Sequence, residues 1–189
     1  TLKLNNCKNI LNQSMAITDC GLIFFGEYGN NIDRQKVNIY RSKNNGLDWD
    51  VVYSFESKEV RHVHGCHYDK FTNTIWTLTG DFDRENKIMV SDLNFDKNKF
   101  IGDGSQKYRA VSIFFQKDKV HWFMDSQLEK NYQFTYDRKN GEIQKNNMFN
   151  APVWYSKSLE DGYFLIATTV EKGKGVIEKS ANLLISNDL

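Results

Sequence analysis

The chain has 189 residues, a net charge of +1 and a hydrophobic content of 40%, which is enough to bury a sizeable core. The nearly neutral charge gives no electrostatic reason to expect nucleic acid as a partner. The longest apolar run is only as long as a strand, so no membrane span is predicted. An aromatic content of 14% with a single proline suits an all-β protein.

Short apolar runs, separated by polar turns, predict strands along the whole chain. In the first half the expected strands are 14–18, 22–25, 37–41, 51–53, 60–66, 74–79 and 88–91. In the second half they are 108–115, 120–124, 132–136, 153–155, 163–168 and 183–185. No linker divides them, so the sequence predicts one domain over residues 1–189. A fragment of a larger domain is also expected, because the chain lacks an initial Met and stops within a turn motif.

The connection at 42–49, with the sequence Ser-Lys-Asn-Asn-Gly-Leu-Asp-Trp, predicts a β-hairpin between two of these strands. Ser42 can accept hydrogen bonds from nearby backbone amides, and Gly46 can take a positive φ. Trp49 would cover the hairpin with a large apolar surface.

An apolar strand that ends in Ser or Asp recurs along the chain, with anchors at Ser42, Ser91, Asp137 and Ser186. The spacings of 49, 46 and 49 residues match a four-stranded propeller blade better than chance turns in a β-sandwich. The predicted fold is therefore an all-β propeller with four-stranded antiparallel blades. About four blades are visible, and a larger propeller of six or seven blades is the alternative. The expected blades are 14–55, 60–100, 108–148 and 153–189.

The 42–49 turn resembles the Asp-box, or BNR, repeat of sialidase-like β-propellers, whose pattern is roughly Ser-x-Asp-x-Gly-x-Thr-Trp. Asn44 stands where that pattern prefers Asp, Asp48 stands where it prefers Thr, and Phe95 replaces the Gly of the second copy. The Arg-Ile-Pro element that opens true sialidases is missing. The stretches 26–29, 61–65, 79–83 and 105–109 look like those of BNR-repeat proteins encoded with surface-polysaccharide genes. The resemblance implies a carbohydrate context.

In an up-and-down blade, the loops after the second strands and the starts of the first strands lie at one end. The acids expected there are Glu27, Asp81 and Asp125, and paired carboxylates can act as acid and as base or nucleophile. Arginines can hold the carboxylate of an acidic sugar, and aromatic rings can stack on sugar faces. The predicted substrate-binding residues are Arg61, Arg109, His62, His64, Tyr28, Gln106 and Trp154.

His62 and His64 are two residues apart on an expected strand and share a face. Packed, hydrogen-bonded histidines are the preferred interpretation, and metal binding by this pair is the alternative. No metal site and no cofactor are predicted. Arg61 has the opposite parity, and we expect it to pair with an acid of the next blade.

The function predicted from these residues is that of a sialidase-like, carbohydrate-active protein. We expect a glycoside hydrolase with a glycan substrate, acidic if the arginines hold it. Asp81 or Asp125 would be the general acid or base. A lyase that uses His64 and a tyrosine is a variant. The rival is a non-catalytic propeller that binds a glycan or a protein.

The three cysteines, Cys7, Cys20 and Cys66, have no metal-ligand spacing, and buried free thiols are expected. Pairing of Cys7 with Cys20 in an oxidising compartment is the alternative. The odd count favours a reducing, cytoplasmic setting, but neither a compartment nor an oligomeric state is assigned.

Overall fold

The computed structural model describes residues 2–4 and 7–189, and within these ranges the secondary structure is almost entirely β. The first sheet contains β1 (Ala16–Ile17), β2 (Ile23–Gly26), β3 (Val37–Ser42) and β4 (Asp50–Phe55). The second contains β5 (His62–Asp69), β6 (Thr74–Gly80), β7 (Ile88–Ser91) and β8 (Asn98–Ile101). A short 3-10 helix, Gln106–Tyr108, follows.

The third sheet contains β9 (Ile113–Phe115), β10 (Lys119–Phe123), β11 (Asn131–Asp137) and β12 (Ile143–Phe149). The fourth contains β13 (Val153–Ser158), β14 (Phe164–Thr168) and β15 (Leu183–Ser186), and so has three strands where four were expected. Within each sheet, each strand pairs antiparallel with the next along the chain, which is the topology of propeller blades. Among the described residues, no helix has the length and apolar character needed to cross a membrane.

The chain divides into two compact units, and the boundary in the sequence falls between Tyr108 and Arg109. The first unit holds the first two sheets, and its core includes Phe24, Ile39 and Phe55. The second unit holds the other two sheets around a separate apolar cluster of Phe114, Phe123, Phe149, Val153 and Ile166.

The four repeat anchors all occupy the same place in their sheets. Ser42, Ser91, Asp137 and Ser186 are the last residues of β3, β7, β11 and β15, which are the third strands of the four sheets. Each repeat predicted from the sequence therefore corresponds to one sheet of the structure.

The turn that follows the third strand also has a common backbone feature in three of the sheets. Four residues after the anchor, Gly46, Phe95 and Gly141 have φ values of 84°, 62° and 74°. Phe95 lacks the freedom of glycine at positive φ. Its buried ring packs 5.8 Å from the ring of Phe24, and this packing offsets the backbone cost.

In the first sheet this turn is held by side chains. Ser42 Oγ accepts hydrogen bonds from the Gly46 amide at 2.8 Å and from the Asn44 amide at 3.3 Å. Asn44 Oδ1 accepts from the Asp48 amide at 2.9 Å, and Trp49 Nε1 donates to the Gly46 carbonyl at 3.0 Å. These bonds satisfy backbone groups that no strand partner reaches.

Three local expectations need correction. The predicted strand 108–115 begins only at Ile113, because Tyr108 closes a helical turn on Ser105 and packs over Gly102. The predicted four-stranded blades required outer strands in the second and third sheets, but the sequence did not locate β8 and β12. Most of their side chains are exposed, so they lack the apolar alternation of a half-buried strand.

The cysteine expectation holds in part. All three thiols are free, but only Cys66 is buried, whereas Cys7 is half-buried and Cys20 is exposed. Burial raises the pKa of the Cys66 thiol to about 12, so this group packs as a small apolar side chain.

Candidate functional site

Within the first unit, the loops that follow β2 and β6 meet the start of β5. The Val63 amide donates to the Glu27 carbonyl at 2.9 Å, which joins the end of β2 to β5. Asn31 Nδ2 donates to the Arg61 carbonyl at 2.8 Å, and Arg61 Nε donates to the Asn30 carbonyl at 2.9 Å. The polar residues of these segments are thereby brought to one place.

Asp81 is the centre of this group. Arg61 Nη1 donates to Asp81 Oδ2 at 2.7 Å, while His64 Nε2 and His62 Nε2 lie 3.1 and 3.5 Å from Oδ1. The Asp81 side chain is 15% exposed, and both histidines are almost fully buried. Burial alone would raise the pKa of Asp81, but the two facing imidazoles outweigh burial and hold that pKa well below its usual range.

His62 is fixed from its other side. Its Nδ1 lies 2.7 Å from the Gly29 carbonyl oxygen, and because a carbonyl can only accept, Nδ1 carries the proton. Its ring packs against Tyr28, with the ring centroids 4.2 Å apart. His62 is 3% exposed, and its buried Nε2 makes no hydrogen bond.

Two further contacts shape the loop that carries Asp81. Gln106 Nε2 donates to the Asp81 carbonyl at 3.0 Å and to Asp83 Oδ1 at 3.3 Å. Gly80 lies against the His64 ring and Asn86, so a side chain at this position would collide with the imidazole and crowd Asn86. The glycine therefore allows the imidazole to approach the end of β6.

Exposed groups surround the Arg61–Asp81 pair. Phe82 is 46% exposed, and the guanidinium carbons of Arg61 and Arg34 lie 5.7 and 5.4 Å from its ring centroid. A cleft of about 410 Å³ is lined mainly by polar residues, two of which, Asn30 and Asn31, also form hydrogen bonds with Arg61. Its lining includes Asn30, Asn31, Asp33 and Gln35.

Sequence reasoning did not single out Phe82 or the cleft residues. Their signals were an aromatic between two acids in the 81–83 stretch and the asparagines of the loop after β2. Both signals are common in ordinary loops, so neither identifies a site without the fold.

Glu27 has a different environment. Its carboxylate accepts from the Asn38 amide and from the Tyr40 hydroxyl, each at 2.8 Å. Burial, and then the hydrogen bond and charge of Glu27, raise the pKa of Tyr40 to about 12. These contacts tie Glu27 to β3.

The second unit contains its own group, at the end of β10. Trp154 Nε1 donates to Asp125 Oδ1 at 2.7 Å, and Arg109 Nε lies 3.6 Å from Asp125 Oδ2. The Asp125 amide also donates to the Arg109 carbonyl at 2.9 Å. Arg109 and Asp125 are both buried, whereas Trp154 is exposed along part of its ring.

The expected partner of Arg61 was wrong. Arg61 pairs with Asp81 of its own sheet, and Arg109 pairs with Asp125 of its own sheet. In the second and third sheets alike, an arginine that precedes the first strand pairs with an aspartate that follows the second strand. Arg61 precedes β5, which starts at His62. The alternation of side chains between the two faces of a strand therefore does not determine the direction of the Arg61 side chain.

No protein-family model matches the chain, and no curated protein matches its sequence. Solved structures do match its fold. TolB from Acinetobacter baumannii is 14% identical with a TM-score of 0.61, over 94% of this chain and 40% of that chain. A GH43 beta-1,3-galactosidase is 13% identical with a TM-score of 0.56, over 87% and 40%.

An alpha-L-arabinofuranosidase from Fusarium graminearum is 11% identical with a TM-score of 0.53, over 97% of this chain and 65% of that chain. The chain thus spans about two fifths to two thirds of the length of these proteins. At such low identity the likeness concerns the fold alone. With the sheet topology, it confirms the predicted fold class, an all-β propeller of antiparallel blades.

Proposed function

We propose that this chain is part of a carbohydrate-active β-propeller that hydrolyses a glycosidic bond, with an acidic glycan as substrate. The observation that carries the proposal is the Arg61–Asp81 pair, which is partly exposed beside a polar cleft and rests on two buried histidines. Burying a charge costs free energy unless the charge is well paired, and carboxylates with shifted pKa values cluster at functional sites. Glycosidases among the proteins of similar fold raise the prior for this class of activity.

The geometry suggests how an acidic sugar would engage the site. Both carboxylate oxygens of Asp81 have protein neighbours, Arg61 at Oδ2 and His64 at Oδ1. A sugar carboxylate that binds the Arg61 guanidinium would compete with Asp81 for it and release Oδ2. Asp81, which the two facing imidazoles keep ionised, could then act on the substrate as a base, while Tyr28 or Phe82 stacks on a sugar face. The cleft side chains Asn30, Asn31 and Gln35 would bind hydroxyls.

In this proposal Asp125 is the alternative acid or base, with Arg109 and Trp154 as its neighbours. Glu27 is the weakest of the three predicted acids, because its contacts with Asn38 and Tyr40 give it a structural role.

A second candidate is elimination next to a uronic-acid carboxylate. It is favoured by Tyr28, whose ring lies 4.2 Å from His62 and 6.3 Å from His64 between centroids, near an arginine that could neutralise the sugar carboxylate. Tyr28 or His64 would abstract the proton. A propeller that only binds a glycan or a protein remains the rival from another class.

We propose further that the Ser42–Trp49 turn is a variant Asp-box and that its role is structural. The hydrogen bonds of Ser42 and Asn44 and the shared positive φ four residues after three anchors support this. We also propose that residues 1–189 form a single propeller domain or part of one.

The test is a glycan-array binding screen on the full chain, followed by mass spectrometry of the products of every glycan that binds. Hydrolysis adds one water to the products, whereas elimination leaves an unsaturated sugar. Asp81→Asn should lower the turnover rate by roughly 10²- to 10⁴-fold. The matched control is Asp161→Asn, at an exposed aspartate in a turn of the second unit, which should change nothing.

Arg61→Met should weaken binding of acidic glycans more than of neutral ones. Each variant is checked for folding by its thermal unfolding. Binding without product would favour the non-catalytic rival, and full activity in a folded Asp81→Asn variant would remove Asp81 from the mechanism.

A further inference from the structure

We propose that His62 Nε2, His64 Nε2 and Asp81 Oδ1 bind a divalent transition-metal cation, with Zn²⁺ as the best fit. The three ligand atoms lie within 4.8 Å of one another. This inference goes beyond glycan cleavage and does not depend on it, because it rests on the chemistry of the ligands alone.

The first argument is the protonation of His62. Its Nδ1 donates to the Gly29 carbonyl, so in the neutral ring Nε2 carries a lone pair. That lone pair is buried, makes no hydrogen bond and faces Asp81 Oδ1 at 3.5 Å. In the neutral ring, two acceptors would therefore face each other and repel, so a positive charge is needed between them, and either a proton or a metal ion can supply it.

The second argument is distance. With Zn–N and Zn–O bonds of about 2.0–2.1 Å and tetrahedral angles, two ligand atoms of one zinc ion lie about 3.3 Å apart. The separations of His64 Nε2 and His62 Nε2 from Asp81 Oδ1 are 3.1 and 3.5 Å. Two of the three ligand separations therefore match the spacing that a tetrahedral ion requires, and the third, between the two Nε2 atoms, is no more than 4.8 Å.

The third argument is the outer shell. The Gly29 carbonyl orients His62, and Arg61 holds Asp81 Oδ2, which leaves Oδ1 to bind a metal through a single oxygen. Hydrogen bonds of this kind fix the orientation and the tautomer of ligands in known metal sites. Three protein ligands leave a fourth tetrahedral position for water, as in catalytic zinc sites.

The chemical types of the three ligands favour some cations over others. Two imidazoles and one carboxylate suit Zn²⁺ and its transition-metal neighbours. Ca²⁺ prefers six to eight oxygen ligands, and Mg²⁺ keeps most of its water. We therefore expect Zn²⁺ and Co²⁺ to bind and expect Ca²⁺ and Mg²⁺ to leave the site empty at comparable concentrations.

The experiment is calorimetric titration of the metal-free full chain with Zn²⁺, together with the visible absorption of bound Co²⁺. All titrations use a Cys7→Ser, Cys20→Ser background, since accessible thiols also bind zinc. We expect one ion per chain. Affinity should fall by about 100-fold or more in His62→Gln and in His64→Gln, because even outer-shell partners are worth 10- to 100-fold. His121→Gln, in the other unit, is the matched control.

One readout needs no substitution of the ligands. In this background, the ¹⁵N resonances of His62 and His64 Nε2 should shift on addition of Zn²⁺, whereas those of His67 and His121 should not. Absence of saturable binding, or binding that survives His62→Gln, would overturn the proposal. The positive charge between His62 Nε2 and Asp81 Oδ1 would then be a proton. Because metal binding is measured without any glycan, its failure is distinct from a failure of the proposed cleavage.

Discussion

At the scale of single residues, Gly80 shows how closely the histidine cluster is fitted. Its position under the His64 ring and Asn86 leaves no room for a methyl group. We expect Gly80→Ala to lower the free energy of unfolding by about 1–3 kcal/mol, as overpacking usually does. Urea unfolding followed by tryptophan fluorescence measures this.

The control for Gly80 is a double-mutant cycle with His64→Ala, which creates the space that the new methyl group needs. In that background the cost of Gly80→Ala should largely disappear. An unchanged cost would mean that backbone effects, and not contact with the imidazole, determine the requirement for glycine.

The sequence predicted part of this cluster, and physical reasons explain the remainder. The structure brings Tyr28, Arg61, His62, His64 and Asp81 together, as alternating strands with loops at one end suggested. The partner of each side chain could not be predicted, because pairing depends on where β5 starts and how the loop after β6 bends.

At the scale of the turns, the third strand of each sheet ends at a Ser or Asp. Ser42, Asp137 and Ser186 accept hydrogen bonds from the backbone ahead of them, whereas in the second sheet Asp92 does so and Ser91 does not. Ser42 is the clearest case, because its fully buried hydroxyl accepts from two amides. Such a turn acts locally, so its loss should destabilise the sheet without altering the chemistry at the opposite end of the strands.

We therefore expect Ser42→Ala to lower the free energy of unfolding by about 1–3 kcal/mol, because buried amides lose their acceptor. Glycan binding by the folded fraction should stay unchanged. Lys43→Ala, at the exposed neighbouring position, is the control. A Ser42→Ala chain that unfolds at the wild-type urea concentration would contradict a structural role for this turn.

The strands themselves were predictable where buried apolar and β-branched residues follow one another. This holds for β3 and β6, in which nearly every residue is buried. It fails for β12, where Gln144, Lys145, Asn146 and Asn147 follow one another in solvent. An exposed outer strand is set by hydrogen bonding to its neighbour, which leaves no periodic signal in its own sequence.

At the scale of the whole molecule, stability should depend on pH through buried neutral histidines. Burial, and secondarily the charge of Lys119, lower the pKa of His121 from 6.5 to about 4. Its ring nitrogens lie 3.0 Å from Thr135 Oγ1 and 3.1 Å from Gln116 Oε1. Between pH 6.5 and 4 the unfolded chain binds a proton at this ring and the folded chain does not.

The contribution of His121 is therefore fully present above pH 6.5 and is lost as the pH falls towards 4. Urea unfolding measures the free energy of unfolding at pH 7.5 and at pH 5. Its fall between these two pH values should be up to about 2 kcal/mol larger in the wild type than in His121→Gln. His67, whose pKa is also lowered to about 4 by burial, is present in both chains and cancels from the comparison. Equal pH dependence in the two chains would show that folding does not lower the pKa of His121.

The fourth sheet has a practical consequence for handling residues 1–189 as a separate polypeptide. Its last strand, β15, pairs with β14 along one edge, and Leu183 and Ile185 are 73% and 64% exposed. An apolar strand at the edge of a sheet is a template for unwanted pairing between molecules, and proteins usually protect such edges with charge. A lysine at position 185 is the change we would make first to obtain concentrated, monodisperse samples for crystallisation.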